Sequence, residues 1–287
     1  GGANEGANPP RGAVLSYYIA EEHDGPLTIE ITDSEGKLVR DFSSEERDFE
    51  RCIIGNMDQR IPFEVHYPTA EPGLNQWAWD MRFNGLNCID DVKLFAGFGG
   101  ATVTPGTYQV RVSIGDEESS AELTLLADPR VEATEDDYRF LAGKRREVTV
   151  LLNELLDNLA AARKARSQIE LLLADFPEDE ELQEIGELAV ERLTAWENMV
   201  TQTQYGTYED EDSMPPMLDV HIRHVLDVID RAGAPVSAGS LQRLTDLEYQ
   251  WDDRKAEIRA IGNSELAAIN DWAQTNGVMH VAQPGEL

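Results

Sequence analysis

Basic groups, cysteines and aromatics are all scarce in this sequence, and it has no long apolar run. Each shortage removes a class of protein. Only 24 lysines and arginines stand against 55 aspartates and glutamates, a formal net charge of −31. Nucleic acid and anionic lipid both require a basic footprint, so neither is an expected partner. Dispersed acidity reads as solubility in salty surroundings, with a specific cationic partner as the sharper alternative. Two cysteines in 287 residues cannot build a disulfide framework. Cys52 and Cys88 read either as two free thiols or as one bridge, which would require an oxidising compartment. No stretch of about 18 apolar residues occurs, so no membrane insertion is predicted. The chain opens Gly1-Gly2-Ala3-Asn4 without methionine or signal peptide, which reads as a processed product or a fragment. What remains is 41% hydrophobic residues in periodic arrangement, enough to bury a sizeable core.

The period of that arrangement changes once. In the first 130 residues it is two. Ala13–Ile19 is a β-rich run. Leu27, Ile29 and Ile31 alternate with polar residues, Asp33-Ser34-Glu35-Gly36 makes a hairpin turn, and Leu38 to Phe42 returns. Residues 44–73 are charged and aperiodic, an excursion or an irregular edge. Gln76 to Arg82 alternates again and puts Trp77, Trp79 and Met81 on one face. Val92–Phe98 reads as a short strand. Tyr108, Val110, Val112 and Ile114 run into Gly115-Asp116 and return through Ala121, Leu123 and Leu125. The total of about seven strands suits an immunoglobulin-type sandwich.

Beyond Asp128-Pro129 the period becomes helical. Thr134 followed by Glu135, Asp136 and Asp137 is a capped helix start. Leu141, Val148, Leu152, Leu155, Leu159, Ala162, Ile169 and Leu173 then form a coiled-coil-like seam ending at Pro177. A second helix carries Leu182 to Met199, and a third carries Leu218 to Ile229 and stops at Gly233 and Pro235. A fourth is capped by Ser237 or Ser240 and runs to Trp272. Short connections make these antiparallel neighbours. The predicted fold class is therefore α+β in two domains, an immunoglobulin-like antiparallel β-sandwich over 12–130 followed by an antiparallel four-helix bundle over 134–275. A C-terminal tail covers 276–287.

A search for chemistry returns no catalytic residue, no cofactor site and no metal site. His221 and His224 have i, i+3 ligand spacing, but no HExxH pattern accompanies them. Glu209-Asp210-Glu211-Asp212 lacks the alternating ligands and glycine of a calcium loop. Trp77 and Trp79 read as sheet core, with a sugar-stacking platform as the alternative. There is no nucleophile elbow, and Gly97-Phe98-Gly99-Gly100 lacks the strand-to-helix context of a phosphate loop.

Four local phrases are more specific. Asn8-Pro9-Pro10-x-Gly12-Ala13, Gly73-Leu74-Asn75-x-x-x-Trp79-Asp80-Met81-Arg82, Pro105-Gly106-Thr107-Tyr108-x-Val110-Arg111 and Asp128-Pro129-Arg130 together resemble one bacterial arrangement. It is the C-terminal region of exported proteins with a sortilin-like or BNR-repeat β-propeller, commonly labelled glycosyl hydrolases. The resemblance implies that 1–11 is a linker from a preceding domain, that the protein is exported, periplasmic or extracellular, and that a β-propeller of the same or a neighbouring chain is the partner. The propeller, where such an activity would reside, is not in this sequence, so the expectation is a non-catalytic accessory and interaction module. The alternatives are a carbohydrate-binding module, or the C-terminal part of a glycoside hydrolase whose active site lies in the propeller.

Overall fold

The computed structural model describes residues 11–45, 67–89, 91–94, 97–205 and 210–284. Six strands occur among them: β1 (Ala13–Ile19), β2 (Leu27–Thr32), β3 (Leu38–Ser43), β4 (Gly73–Trp79), β5 (Gly106–Ile114) and β6 (Glu117–Leu125). All pairings are antiparallel. β1 pairs with β4, and the second sheet has the order β3-β2-β5-β6. The first hairpin turns where expected. Asp33 Oδ1 accepts the Glu35 and Lys37 N–H groups, each at 2.9 Å, and Gly36 takes φ 77°, which a side chain would disfavour.

The two sheets face each other across one apolar core. Leu27, Ile29 and Ile31 of β2 meet Trp79 of β4 and Val110 of β5, with Leu15, Tyr17 and Ile19 of β1 packed against them. Trp79 is 0% exposed, lies edge-on to Tyr108 with centroids 5.5 Å apart, and donates its indole N–H to Arg82 O at 3.0 Å. Trp77 is half-buried, edge-on to Phe42 at 5.3 Å. Gly12 makes the start of β1 compatible with this packing, since a Cβ there would fall 2.0 Å from Trp79 O.

The seventh predicted strand, Val92–Phe98, is absent among the described residues. The chain leaves the sheet at Met81, whose φ is 59°, and forms an irregular loop whose stem is closed by its own backbone. Val103 N bonds Met81 O at 2.8 Å, Phe83 N bonds Ala101 O at 2.9 Å, and Leu86 N bonds Phe98 O at 2.8 Å. Gly100 sits in that stem, where a Cβ would fall 2.2 Å from Phe83 O. Leu86, Val92, Leu94, Phe98 and Ala101 are buried, but in the helical core rather than between the sheets. Their apolar character was legible; their destination was set by tertiary packing. Residues 83–101, within the span expected to be sheet, thus join the helical half.

That half contains α1 (Glu135–Asp175), α2 (Glu180–Val200), the single turn α3 (Asp210–Ser213), α4 (Leu218–Ala232) and α5 (Ala238–Ile261). A π-helical turn, Gly262–Leu266, continues α5 into α6 (Ala267–Asn276). Thr134 and Asp137 form a reciprocal capping box, so two otherwise orphaned N–H groups are satisfied. Asp179 and Ser237 cap α2 and α5. The predicted seam of α1 is buried from Leu141 to Ile169 against the apolar stripes of α2, α4 and α5. Each tryptophan here also donates a hydrogen bond: Trp196 to Arg254 O at 2.8 Å, Trp251 to Glu154 Oε2 at 3.0 Å and Trp272 to Asp179 Oδ2 at 2.9 Å. The tail folds back, with Val281 N on Asn270 Oδ1 and Ala282 N on Gln168 Oε1, both at 2.7 Å. Among the described residues no helix is long and apolar enough to cross a membrane.

Candidate functional site

A concavity follows from the unequal sheets. By register, Leu123, Ala121 and Glu117 of β6 stand opposite Tyr108, Val110 and Ile114 of β5. Directly paired residues share a face, so these β6 side chains point toward the other sheet. Nothing described covers them. Among the described residues the facing sheet contains only β1 and β4, and β6 is exposed along nearly its whole length. A cleft of about 590 Å³ results between β1 on one side and β5–β6 on the other.

The two walls differ in character. β6 contributes Glu117, Glu118 and Glu122. Glu118 lies 4.0 Å from Arg111, whereas Glu117 and Glu122 have no ion-pair partner among the described residues. β1, Ala-Val-Leu-Ser-Tyr-Tyr-Ile, has no charge and no proline in seven residues. Among the described residues it pairs on one side only, and Val14–Ala20 line the cleft beside its other edge. The Tyr17 hydroxyl is already committed to Thr69 O at 2.6 Å, and burial pushes its pKa up. Ser113 is bonded to Thr28 at 2.7 Å. His23 lines the cleft without a hydrogen bond to any of its serines. Backbone edge, apolar floor and free carboxylates are the equipment of binding; an assembled nucleophile and base would be needed for cleavage.

The residues singled out in the sequence fall elsewhere. His221 and His224 lie on one face of α4, His221 half-buried and His224 exposed. Burial, then Arg243, then His224 lower the His221 pKa, and no three His, Cys, Asp or Glu side chains gather around a metal position among the described residues. His221 instead lines a shallow 310 Å³ hollow with Met199, Met217 and Arg254. The acidic run contributes α3, and Glu209 lies outside the described residues. Trp77 and Trp79 both face the inter-sheet core, not solvent. Cys88 is disulfide-bonded, so the free-thiol alternative does not hold for it. The other cysteine, Cys52, lies outside the described residues, as do Asn8-Pro9-Pro10 and residues 46–66.

Two buried polar clusters tie elements together. Asp230, near the C-terminus of α4, receives Thr102 N at 2.8 Å and Thr102 Oγ1 at 3.0 Å. Arg82 Nη1 stands 3.2 Å away and Arg145 Nε 3.0 Å, while Arg145 Nη2 donates to Asp230 O at 3.1 Å. Burial lowers the Arg145 pKa and Asp230 opposes that. With Arg223 Nε on Gly97 O at 2.7 Å, this cluster locks the 83–101 loop to α1 and α4. Deeper in the helices, Glu197 pairs with Arg163 at 2.7 Å and with Arg166. Nearby Asp219 is 0% exposed; desolvation raises its pKa to about 6 against the opposing pull of Thr201, Val220 N–H and Arg163. The carboxylates of Asp230, Glu197 and Asp219 are buried, while Arg82, Arg163 and Arg166 reach partly to solvent; both clusters serve packing. Comparison with protein-family models, curated proteins and solved structures finds no match for this chain.

Proposed function

We propose that this chain is a non-catalytic accessory and interaction module, an immunoglobulin-like β-sandwich joined to an antiparallel four-helix bundle, belonging to an exported protein that contains a β-propeller. The observation that carries the interaction reading is β1: seven residues without charge or proline, unpaired among the described residues on the side that lines the cleft, in a chain that is 28% charged. Edge strands in soluble proteins are ordinarily blunted by charge, proline or a cover, and β6 has such a defence in its glutamates. An undefended edge beside an open cleft is what a surface kept for a partner requires. The Cys88 disulfide supports export, because such bonds persist in oxidising compartments.

The test has two arms. The purified chain should hydrolyse no glycosidic, ester or peptide substrate above background, and, if a propeller domain is encoded upstream, it should co-purify with that domain. Robust turnover, lost on changing His221, His224 or a nearby carboxylate, would replace this reading with an enzyme.

A further inference from the structure

We infer that the cleft between β1 and β6 is a strand-acceptor site for an extended peptide segment whose cleft-facing residues are apolar opposite Ala121 and Leu123 and cationic opposite Glu117. The inference rests on the interaction reading above and names the chemistry of the partner.

The geometry supplies three requirements for strand addition. First, a free backbone edge: β1 is bonded through one side to β4 over Ala13–Ile19, which leaves N–H and C=O groups on the other side for an incoming chain. Second, a floor at the correct height: neighbouring strands lie about 4.8 Å apart and facing sheets about 10 Å apart. A chain placed beside β1 therefore lies above β6, with alternate side chains directed at Ala121 and Leu123. These residues belong to the inter-sheet face by register with Val110 and Tyr108, yet Ala121 is exposed and Leu123 only half-buried. Third, a charge preference: Glu117, on the inter-sheet face opposite Ile114, lines the cleft without an ion-pair partner, and among the described residues His23 is the only one of basic type around it. An acidic or neutral residue opposite Glu117 would leave that carboxylate uncompensated, whereas a cleft-facing lysine or arginine on the occupant meets it. The partner read here is a polypeptide, because the recognition element is an unpaired main-chain edge. A polysaccharide would instead want an exposed aromatic face, and Tyr18, the prominent exposed aromatic of β1, points away from the inter-sheet core on the face it shares with Leu74.

The experiment titrates the full chain with a fluorescent nine-residue peptide that has valine at positions 1, 3 and 5, lysine at position 7 and threonine elsewhere, so that valines and lysine share one face. The control is the same peptide with its central valine replaced by proline, which keeps the charge and removes a ladder donor. The expected result is binding at least about tenfold tighter than the control. Ala121→Trp, which fills the cleft from an exposed position, should weaken it by a similar factor with circular dichroism and Tm unchanged; Ser119→Trp, on the same face, serves if the first variant misfolds. Glu117→Lys should weaken binding and flatten its salt dependence. Equal affinity for the proline peptide would reduce the effect to adsorption on an acidic surface and overturn the inference. So would binding that neither tryptophan variant alters, or a neutral hexasaccharide that binds the parent and is lost in Ala121→Trp. None of these outcomes bears on the hydrolysis assay, so the inference can fail while the non-catalytic reading stands.

Discussion

Replacing Asp230 tests how firmly the sheet half is joined to the helices. Its carboxylate satisfies Thr102 through two hydrogen bonds and faces two guanidinium groups. Arg145 is the more consequential partner: its side chain is 5% exposed and that of Asp230 8%, so neither charge can turn to water. Asp230→Ala leaves the Arg145 charge uncompensated in a dry site and orphans the Thr102 N–H. Breaking one side of a buried pair costs about 3–5 kcal/mol. For a chain of 287 residues, 4 kcal/mol corresponds to a fall in Tm of roughly 7 °C. The assay is urea denaturation followed by circular dichroism, with a double-mutant cycle against Arg145→Leu. The cycle should show coupling of roughly 1–3 kcal/mol, because removing both charges is far less costly than removing one. A cost below about 1 kcal/mol for Asp230→Ala, or additive single effects, would refute the reasoning and leave the 83–101 loop held by its apolar contacts and its other polar ties, Arg223 to Gly97 O and Asn87 to Asn153 and Asp157.

Three further outcomes follow from burial and charge. Trp79→Ala should destabilise by roughly 3–5 kcal/mol, as large core truncations do; a near-unchanged melting temperature accompanied by lost glycan binding would instead mark a sugar site. Asp219 has a folded pKa of about 6 against an ordinary 3.8, so the folded state binds the extra proton between those values and stability falls as pH rises through that window, by on the order of 3 kcal/mol. Asp219→Asn should remove this dependence and gain on the parent from about pH 4 to pH 7, whereas parallel pH–stability profiles would contradict it. The net charge of −31 predicts a Tm that rises with sodium chloride from about 0.1 to 1 M, as the Debye length shrinks from about 10 to about 3 Å; a flat or falling Tm would argue that the acids are already paired.

Where local rules act, the sequence was a sufficient guide. β-rich composition placed β1 and alternation placed β2, β5 and β6, the Thr134 capping hydroxyl began α1 at its observed position, Gly233 ended the third helix, and of the two candidate serines Ser237 caps the fourth. Residues 83–101 were misassigned for a physical reason. Val92 and Leu94 are apolar at strand spacing, but periodicity cannot say which of two cores receives them, and α1 and α4 offered the better cavity. The polar partners of that loop were illegible too, since Asp230 meets Thr102 across 128 positions. The π-turn after Ile261 has no pattern that separates it from the helix around it. The cleft shows the same limit. The absence of charge in β1 was visible, but that its neighbour is missing depends on how many strands each sheet receives, a property of the assembled topology.

Amide hydrogen exchange on the full chain, alone and with the valine–lysine peptide, tests the central claim most directly. In the free protein, the β1 amides that do not face β4 should exchange much faster than those of β2, which is paired on both sides. With the peptide bound, those same amides should slow by at least about tenfold while the helices are unchanged. β1 amides as protected as β2 in the free chain, or protection by the peptide confined to the helices, would contradict the account.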